Sequence, residues 1–297
     1  MKNEKLKGII APITTPFLET GEVNYEGLKS NVQFYAKSGI NGYLALGSNG
    51  ENKSLTNDEK IEVLRIIIDN KSENQFVMAG CIFESTFETI LYAKEFEKLG
   101  ADFLTLLPPS YFKKQMTEAV LIKYFNDVAA AVDTPCLLYN APQFCGGTEL
   151  TVNLVKECAK NPKIVGMKDS SKGNVENFLF AVRDQICVMA GSADFFMNTL
   201  FMGGTGGVVS LANVFPGLVK ELYELILAKK YEEAFKLNEK VLKLNKSVSG
   251  AGGVAAVKYA MDLAGLCGGA PRLPLLPLPE ENKAKVKAAL VAQGMLG

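Results

Sequence analysis

The chain has 297 residues, of which 48% are hydrophobic and 22% charged, as in an ordinary soluble globular protein with a large core. Its 32 acidic and 32 basic residues balance, and no basic cluster could follow a phosphate backbone, so we expect no nucleic-acid partner. No run of about 18 apolar residues predicts a membrane span. The N-terminal segment is interrupted by prolines and does not resemble a signal peptide, so a cytoplasmic protein is expected.

The sequence contains no histidine, and this removes several common chemistries. Histidine-based triads, cysteine–histidine pairs and ordinary zinc spacings cannot occur, and none of the six cysteines stands in a CxxC pair. Proton transfer must therefore depend on lysine, tyrosine, carboxylate or cysteine side chains. Cys145 could be a reactive thiol near the proposed site, although a buried and inert thiol is the more common case.

Eight short apolar segments recur along the chain, and each is followed by a segment with helical periodicity. The predicted strands span 8–15, 42–48, 76–81, 103–109, 136–142, 164–170, 187–193 and 206–213. This alternation predicts parallel strands joined by right-handed crossovers, and eight such strands close a (β/α)8 barrel, the TIM barrel. An open doubly wound sheet is the alternative, but its G-x-G-x-x-G signature is missing after the first strand.

Helix boundaries carry their own signals. The pairs Thr56–Glu59 and Ser85–Glu88 predict capping boxes, and Gly100 predicts the end of a helix. The C-terminal part of the chain shows only helical patterns, over about 230–247, 252–265 and 280–294. We therefore predict a barrel with the catalytic site in residues 1–228 and a C-terminal helical extension, packed on the barrel, in residues 229–297.

Lys168 is the most informative residue, because active sites of parallel barrels lie at the carboxyl ends of the strands. It ends the sixth predicted strand, in IVGMKDS, and should point into the barrel mouth. Burying an ammonium is costly, so part of the amine should be neutral and able to attack a carbonyl group. The alternative is a structural lysine paired with Asp169 or another carboxylate, and position alone does not separate the two.

Tyr139 ends the neighbouring predicted strand, in LLYNAP. A phenol at this place can carry protons to and from a substrate during imine formation and carbon–carbon cleavage. Considered alone, Tyr139 is better explained as a side chain that fills the top layer of the barrel.

Two glycine-rich segments could contact an anion. In the loop GSNGE, residues 47–51, backbone N–H groups, the Ser48 hydroxyl and the Asn49 amide could bind a carboxylate, with a plain glycine turn as the alternative. The segment GGTGG, residues 203–207, precedes the eighth strand, so we interpret it as close packing and keep a phosphate site as the weaker interpretation.

The motifs GSNGE, YNAP, GMKDSS, AGSAD and GGVVSLANV, in this order and strand placement, resemble the dihydrodipicolinate synthase / N-acetylneuraminate lyase superfamily of class I aldolases. The resemblance runs from about residue 8 to the C-terminal helices. It implies a Schiff base between Lys168 and a 2-oxo acid such as pyruvate, proton transfer by Tyr139, and no metal or organic cofactor. It also implies a homotetramer built as a dimer of dimers.

The resemblance implies further site residues. Ser48 and Asn49 match the residues that bind the keto-acid carboxylate, and Ser48 also matches a member of a hydroxyl proton relay. Tyr111, in PPSYF, matches a tyrosine that is lent to the neighbouring subunit's site. Val209 matches the residue of the eighth strand whose backbone lies against bound pyruvate. Ser170 and Ser192, at the ends of strands six and seven, could hold the distal part of the substrate or simply cap helices.

One departure concerns the second substrate. The lysine-biosynthesis branch has an arginine two residues after the proline of YNxP, where it binds a carboxylate, and here Phe144 stands at that place. Phenylalanine cannot replace the bidentate contact of arginine. The combination GSNGE, VGMKDSS and AGSADF most resembles the 4-hydroxy-2-oxoglutarate aldolase branch, whose products are pyruvate and the aldehyde glyoxylate.

Several alternatives stay open. The same resemblance is compatible with dihydrodipicolinate synthase itself. It is also compatible with sugar-acid lyases such as 2-keto-3-deoxygluconate aldolase or N-acetylneuraminate lyase. A non-catalytic barrel that binds 2-oxo acids is a different class, and the presence of both Lys168 and Tyr139 argues against it. A phosphate-binding barrel isomerase is a third interpretation, which would be stabilised by phosphate esters rather than by 2-oxo acids.

Overall fold

The computed structural model describes residues 3–171 and 173–296. Its eight parallel strands follow chain order in a closed barrel, so the predicted TIM-barrel fold is confirmed. The strands are β1 (Gly8–Ala11), β2 (Gly42–Ala45), β3 (Phe76–Cys81), β4 (Phe103–Leu106), β5 (Cys136–Asn140), β6 (Ile164–Asp169), β7 (Cys187–Ala190) and β8 (Gly206–Val208).

Helices follow the strands in alternation and then continue alone at the C-terminus. They are α1 (Tyr25–Ser38), α2 (Asn57–Asn70), α3 (Thr86–Leu99), α4 (Glu118–Ala130), α5 (Val152–Cys158), α6 (Val175–Val182), α7 (Phe196–Phe201), α8 (Pro216–Leu227), α9 (Tyr231–Val248), α10 (Gly253–Leu263) and α11 (Glu280–Ala292). The three predicted C-terminal helices are present, whereas the domain boundary after residue 228 stays a prediction. Within the described ranges, no helix has the length and apolar character that a membrane span requires.

The capping box predicted at Thr56–Glu59 and the helix end predicted at Gly100 are confirmed, and for the box predicted at Ser85–Glu88 the bond to the Ser85 side chain is present. The Thr56 hydroxyl accepts a hydrogen bond from the Glu59 backbone, and the Glu59 carboxylate accepts one from the Thr56 backbone, which completes the capping box. Ser85 accepts from the Glu88 backbone at 3.1 Å. Gly100 ends α3 with φ 97°, a left-handed conformation that suits glycine.

The strands end earlier than the apolar patterns predicted. β1 stops at Ala11 rather than at residue 15, and β8 stops at Val208, after which Ser210–Asn213 forms a 3-10 turn. The side chain of Asn213 stabilises this turn by donating to the carbonyl of Ser210 at 3.2 Å and to that of Pro12 at 2.9 Å. The segment therefore stays buried and apolar after it has left the sheet, which is why its composition resembles a longer strand.

The chain forms two compact units. The first contains Phe76–Val208 with the N-terminal residues up to Gly8, and the second contains Ile9–Gln75 and Val209–Gly297. In the first unit, parallel pairing links consecutive strands from β3 to β8, with one register shift between Cys136 and Leu137 in the pairing of β5 with β6. In the second unit, β1 pairs with β2 in parallel, with Ile10 opposite Gly42.

The glycines before β8 are required by close packing. A Cβ atom on Gly206 would lie 2.1 Å from the carbonyl oxygen of Gly8, and one on Gly204 would lie 2.8 Å from that of Thr199. Both distances are too short for any side chain. The packing interpretation is therefore confirmed at Gly204 and at Gly206, the first residue of β8.

Candidate active site

Lys168 and Tyr139 form a buried pair in the first unit. The Lys168 Nζ donates a hydrogen bond to the Tyr139 hydroxyl at 3.2 Å and lies 4.3 Å from the centroid of the tyrosine ring. The two residues are only 4% and 2% exposed. An amine and a phenol in contact, with little water around them, can exchange protons with one bound carbonyl compound.

The register of two neighbouring strands brings this pair together. In the parallel pairing of β5 with β6, Tyr139 lies opposite Lys168 and Asn140 lies opposite Asp169. Because successive side chains of a strand point to opposite faces, the first pair lies on one face of the sheet and the second pair on the other. The same register therefore produces a reactive pair and, behind it, a polar pair.

The polar pair holds Asp169 away from Lys168. Asp169 Oδ1 accepts hydrogen bonds from the Asn140 amide at 2.8 Å, from the Ser171 hydroxyl at 2.8 Å and from the Ser171 backbone at 3.1 Å. Burial raises the pKa of Asp169, and these hydrogen bonds from Ser171 and Asn140 oppose the shift. The hydrogen-bond partners of Asp169 are therefore Asn140 and Ser171, whereas that of Lys168 is Tyr139, which favours the catalytic interpretation of Lys168 over an ion pair with Asp169.

Apolar side chains surround Tyr139, namely Ile82, Leu107, Ala141 and Cys145. The Cys145 thiol is fully buried, and its sulfur lies 3.2 Å from the carbonyl oxygen of Thr148 and 3.3 Å from that of Ala141. Burial raises the pKa of Cys145 to about 11. The thiolate that a reactive cysteine needs is therefore scarce at neutral pH, which favours the structural role.

Ser170 and Ser192 lie beside the strand ends, both half-buried. A Cβ atom on Gly191 would lie 2.0 Å from the Ser170 hydroxyl, so this hydroxyl sits directly against the end of β7. The Ser192 hydroxyl accepts from the Asp194 backbone at 3.2 Å. Neither serine is the N-cap of the following helix, since those positions are Asn174 and Phe195, and their substrate contacts stay a prediction.

Tyr111 projects from the loop after β4 and is 81% exposed. The Glu84 carboxylate fixes this loop by accepting from the Tyr111 backbone at 3.0 Å and from the Ser110 backbone at 2.8 Å. The tyrosine ring packs edge-on against Phe112, with 5.0 Å between centroids. These contacts hold Tyr111 in the loop and leave most of its ring open to solvent.

The second unit carries the loop 47–51 and Val209. Ser48 and Asn49 are half-buried, and the Asn49 amide donates to the Ser210 hydroxyl at 2.8 Å. The Val209 backbone N–H donates to the carbonyl of Ile10 at 3.3 Å, and its side chain is fully buried. Their predicted contacts with a 2-oxo acid stay a prediction.

The three arginines of the chain are all engaged in contacts of their own. The partners are Glu62 for Arg65, the Met202 carbonyl for Arg183 and Glu59 for Arg272. At the place where an arginine would bind a second carboxylate, the side chain of Phe144 is 54% exposed. No cluster of three or more Cys, Asp or Glu side chains that could hold a metal occurs in residues 3–171 and 173–296.

Comparison with protein families places the whole chain in one of them. The model of the dihydrodipicolinate synthetase family matches residues 5–293. The chain is 32% identical to 4-hydroxy-tetrahydrodipicolinate synthase of Acidovorax sp. (strain JS42), with 98% of each chain covered. It is 33% identical to the protein of the same name from Archaeoglobus fulgidus, with 96% of this chain and 97% of that one covered.

Solved structures agree with the sequence comparison. YagE, a prophage protein of this family from E. coli K12 in complex with pyruvate, has a TM-score of 0.91 at 29% identity and covers 98% of this chain and 99% of its own. The chloride-inhibited dihydrodipicolinate synthase of Acinetobacter baumannii, complexed with pyruvate, has a TM-score of 0.92 at 29% identity with the same coverage.

These findings confirm the predicted superfamily and the prediction of an enzyme, a lyase of the class I aldolase type. They do not separate the 4-hydroxy-2-oxoglutarate aldolase branch from dihydrodipicolinate synthase itself. Matching over nearly its full length at about one-third identity, the chain belongs to the dihydrodipicolinate synthetase family.

Proposed function

We propose that this protein binds pyruvate, or the pyruvate part of a longer 2-oxo acid, as a Schiff base on Lys168 and makes or breaks a carbon–carbon bond to an aldehyde. The observation that carries the proposal is the buried contact of the Lys168 Nζ with the Tyr139 hydroxyl at 3.2 Å. The carboxylate of the neighbouring Asp169 accepts a hydrogen bond from Asn140 instead. The pyruvate complexes of the two similar structures support the choice of ligand.

In the cleavage direction, the Lys168 amine attacks the substrate ketone. The Tyr139 hydroxyl gives its proton to the departing water, which leaves an iminium and a deprotonated Tyr139. Tyr139 takes the proton of the C4 hydroxyl, the C3–C4 electron pair flows into the iminium, and the aldehyde leaves behind an enamine of pyruvate. Return of a proton to C3 and addition of water release pyruvate and the free amine. Each atom and proton is thereby accounted for by the substrate, water and these two side chains.

Other residues enter the proposal through the family resemblance. We assign Ser48, Asn49 and the Val209 backbone to the pyruvate moiety, and Ser170 and Ser192 to the distal part of the substrate. Ser48 and Tyr111 would continue the proton path from Tyr139. The exposure of Tyr111 suits a residue lent to a neighbouring subunit of a homotetramer. Dissociated subunits should therefore be inactive, and a fully active monomer would refute this assignment.

For the second substrate we propose glyoxylate, so that 4-hydroxy-2-oxoglutarate would be cleaved to pyruvate and glyoxylate. Phe144 supports this choice over dihydrodipicolinate synthase, because a phenyl ring offers no charge to a second carboxylate and all three arginines are engaged in other contacts. 4-Hydroxy-tetrahydrodipicolinate synthase is the second candidate, favoured by the names of relatives about one-third identical to this chain.

The first test of the proposal is reductive trapping. The protein is incubated with pyruvate and reduced with borohydride, and the mass of the intact chain and of its peptides is measured. We expect one reduced pyruvate on Lys168 in the wild type and none in Lys168→Ala. Absence of an adduct with pyruvate and with every other 2-oxo acid would leave a binding barrel as the better explanation.

A second test separates the two substrates. Wild-type protein and Phe144→Arg are each assayed for cleavage of 4-hydroxy-2-oxoglutarate and for condensation of pyruvate with the second substrate of the synthase. We expect the wild type to prefer the cleavage, and Phe144→Arg to gain roughly tenfold in the condensation, on the scale of one bidentate carboxylate contact. Efficient condensation by the wild type would establish the synthase instead.

A further inference from the structure

Glu51, the last residue of the loop 47–51, carries a buried negative charge. Its side chain is 1% exposed, and its carboxylate lies 2.5 Å from the Nζ of Lys258, a residue of α10 whose side chain is fully buried. The two residues are 207 positions apart in the chain. A buried ion pair of this kind is kept only when its remaining hydrogen-bonding groups are also satisfied.

The surroundings of the pair meet that requirement. Lys258 also donates to the carbonyl of Ala270 at 3.1 Å, and its Nζ lies 4.3 Å from the centroid of the Phe17 ring. The second oxygen of Glu51 accepts from the Arg272 backbone at 2.9 Å. Burial lowers the pKa of the Lys258 ammonium, and the Glu51 carboxylate opposes the shift.

The backbone connects Glu51 directly to the loop that it ends. Glu51 has φ 52°, a left-handed backbone conformation that residues other than glycine rarely adopt unless surrounding contacts offset its energetic cost. Its N–H donates to the carbonyl of Ser48 at 3.1 Å, and the carbonyl of Gly50 accepts from the Thr15 hydroxyl at 2.8 Å. The Glu51 backbone therefore links the residue with the buried carboxylate to the loop that carries Ser48 and Asn49.

We propose that Lys258 is a positioning residue for 2-oxo-acid binding: it fixes Glu51, and through it the loop 47–51, and it neutralises a carboxylate next to the proposed anion site. This inference rests on the proposed function, since it assigns the pyruvate carboxylate to Ser48 and Asn49. Without the Lys258 charge, the Glu51 carboxylate would repel the carboxylate of the substrate and would be free to turn out of its buried place.

The test compares three variants. Lys258→Met removes the cation, Glu51→Gln with Lys258→Met removes both charges, and Lys285→Met is the control, because Lys285 pairs with Glu281 on the exposed face of α11. For each folded protein, the pyruvate concentration that gives half-maximal borohydride trapping is measured, together with kcat and KM.

We expect Lys258→Met to raise the half-maximal concentration on the order of tenfold, with kcat changed much less, as when about 1.4 kcal/mol of binding is lost. The double variant should recover most of that loss, because the repelling charge is gone, and Lys285→Met should resemble the wild type. An unchanged half-maximal concentration in Lys258→Met, with trapping intact in the wild type, would overturn the inference and leave the proposed function standing. No trapping in the wild type would overturn both.

A milder variant keeps the test valid if Lys258→Met does not fold. Phe17→Leu removes only the ring beneath the Lys258 and Arg272 cations, which lie 4.3 and 4.5 Å from its centroid. We expect a rise of about twofold to threefold in KM for pyruvate, on the scale of one cation–π contact. A KM equal to that of the wild type in folded Phe17→Leu would contradict the positioning role.

Discussion

Lys168 and Lys258 are both buried, but their side chains face different partners, which supports different proposed roles. They are 4% and 0% exposed, and each ammonium lies 4.3 Å from the centroid of an aromatic ring. The nearest polar partner of Lys258 is a carboxylate at 2.5 Å, whereas that of Lys168 is a phenol at 3.2 Å. The two sites therefore differ in whether a negative charge faces the lysine.

This difference supports Lys168 rather than Lys258 as the proposed nucleophile. Burial lowers the pKa of the Lys258 ammonium, and the Glu51 carboxylate in contact with it opposes this shift and favours the charged form. The partner of Lys168 is a hydroxyl group, which could pass protons to and from the amine while it attacks a carbonyl. Burial alone is therefore weak evidence for catalysis, and the partner of the buried lysine is the informative observation.

The largest expected effect comes from removing the nucleophile. Lys168→Ala should lower kcat/KM by roughly 10⁴-fold or more, the scale on which loss of a covalent nucleophile acts. Steady-state assays and borohydride trapping measure the effect, with Lys285→Met as the control for removal of an unrelated lysine. If Lys168→Ala kept a tenth of the activity, or if the adduct formed on Lys258 instead, the proposed assignment of Lys168 as the nucleophile would be wrong.

Removing the phenol should have a smaller effect. Tyr139→Phe keeps the ring and its packing but loses the proton carrier, so we expect kcat to fall by roughly 10²- to 10⁴-fold. The Schiff base on Lys168 should still form, although more slowly, and rapid-quench trapping would follow its rate. A variant that traps pyruvate and turns over at the wild-type rate would show that another group moves the proton.

Much of this arrangement could be predicted from the sequence. Strand–helix alternation predicted the barrel, and the polar residues that end apolar strands predicted Lys168 and Tyr139 as partners on neighbouring strands. The Asn140–Asp169 pair was missed, although the same register implies it once β5 and β6 are taken as neighbours. These predictions need only local sequence information, namely which residue ends a strand and which strand follows it in the chain.

The Glu51–Lys258 pair could not be predicted in the same way. Lys258 lies in an ordinary amphipathic helix, where a solvated charge is the normal expectation, and its partner is 207 residues away. The ends of β1 and β8 were also missed, because buried loops have the same apolar composition as strands. Long-range ion pairs and strand ends depend on tertiary packing, which the pattern of a single sequence does not contain.

The buried ion pair allows a prediction about stability. Lys258→Met leaves the Glu51 carboxylate buried without its cation, so the free energy of unfolding should fall by about 3 to 5 kcal/mol. Adding Glu51→Gln should restore most of it, since removal of both charges also removes the desolvation cost. Urea titration measures these values. A loss as small as that of the exposed control Lys285→Met, within about 0.5 kcal/mol, would show that the pair is not the stabilising contact that its geometry indicates.

The smallest effect concerns the polar pair behind Lys168. Because burial raises the pKa of Asp169, the folded state favours its neutral form. Its contribution to stability is therefore greatest below the ordinary carboxyl pKa of about 3.9 and is lost as the pH rises through the raised value. Asp169→Asn is neutral at every pH, so its stability relative to the wild type should improve as the pH rises from the ordinary carboxyl pKa of about 3.9 through the raised value.

Urea titration of both proteins at several pH values measures this difference. Asp127→Asn is the matched control, since Asp127 is an exposed partner of Lys123 on α4 and should show no such trend. A difference between Asp169→Asn and the wild type that stays constant with pH would show that Asp169 is already charged in the folded protein. In that case both lysines would have a buried carboxylate nearby. The two sites would then differ in how far the carboxylate lies from the ammonium, rather than in whether a negative charge is present.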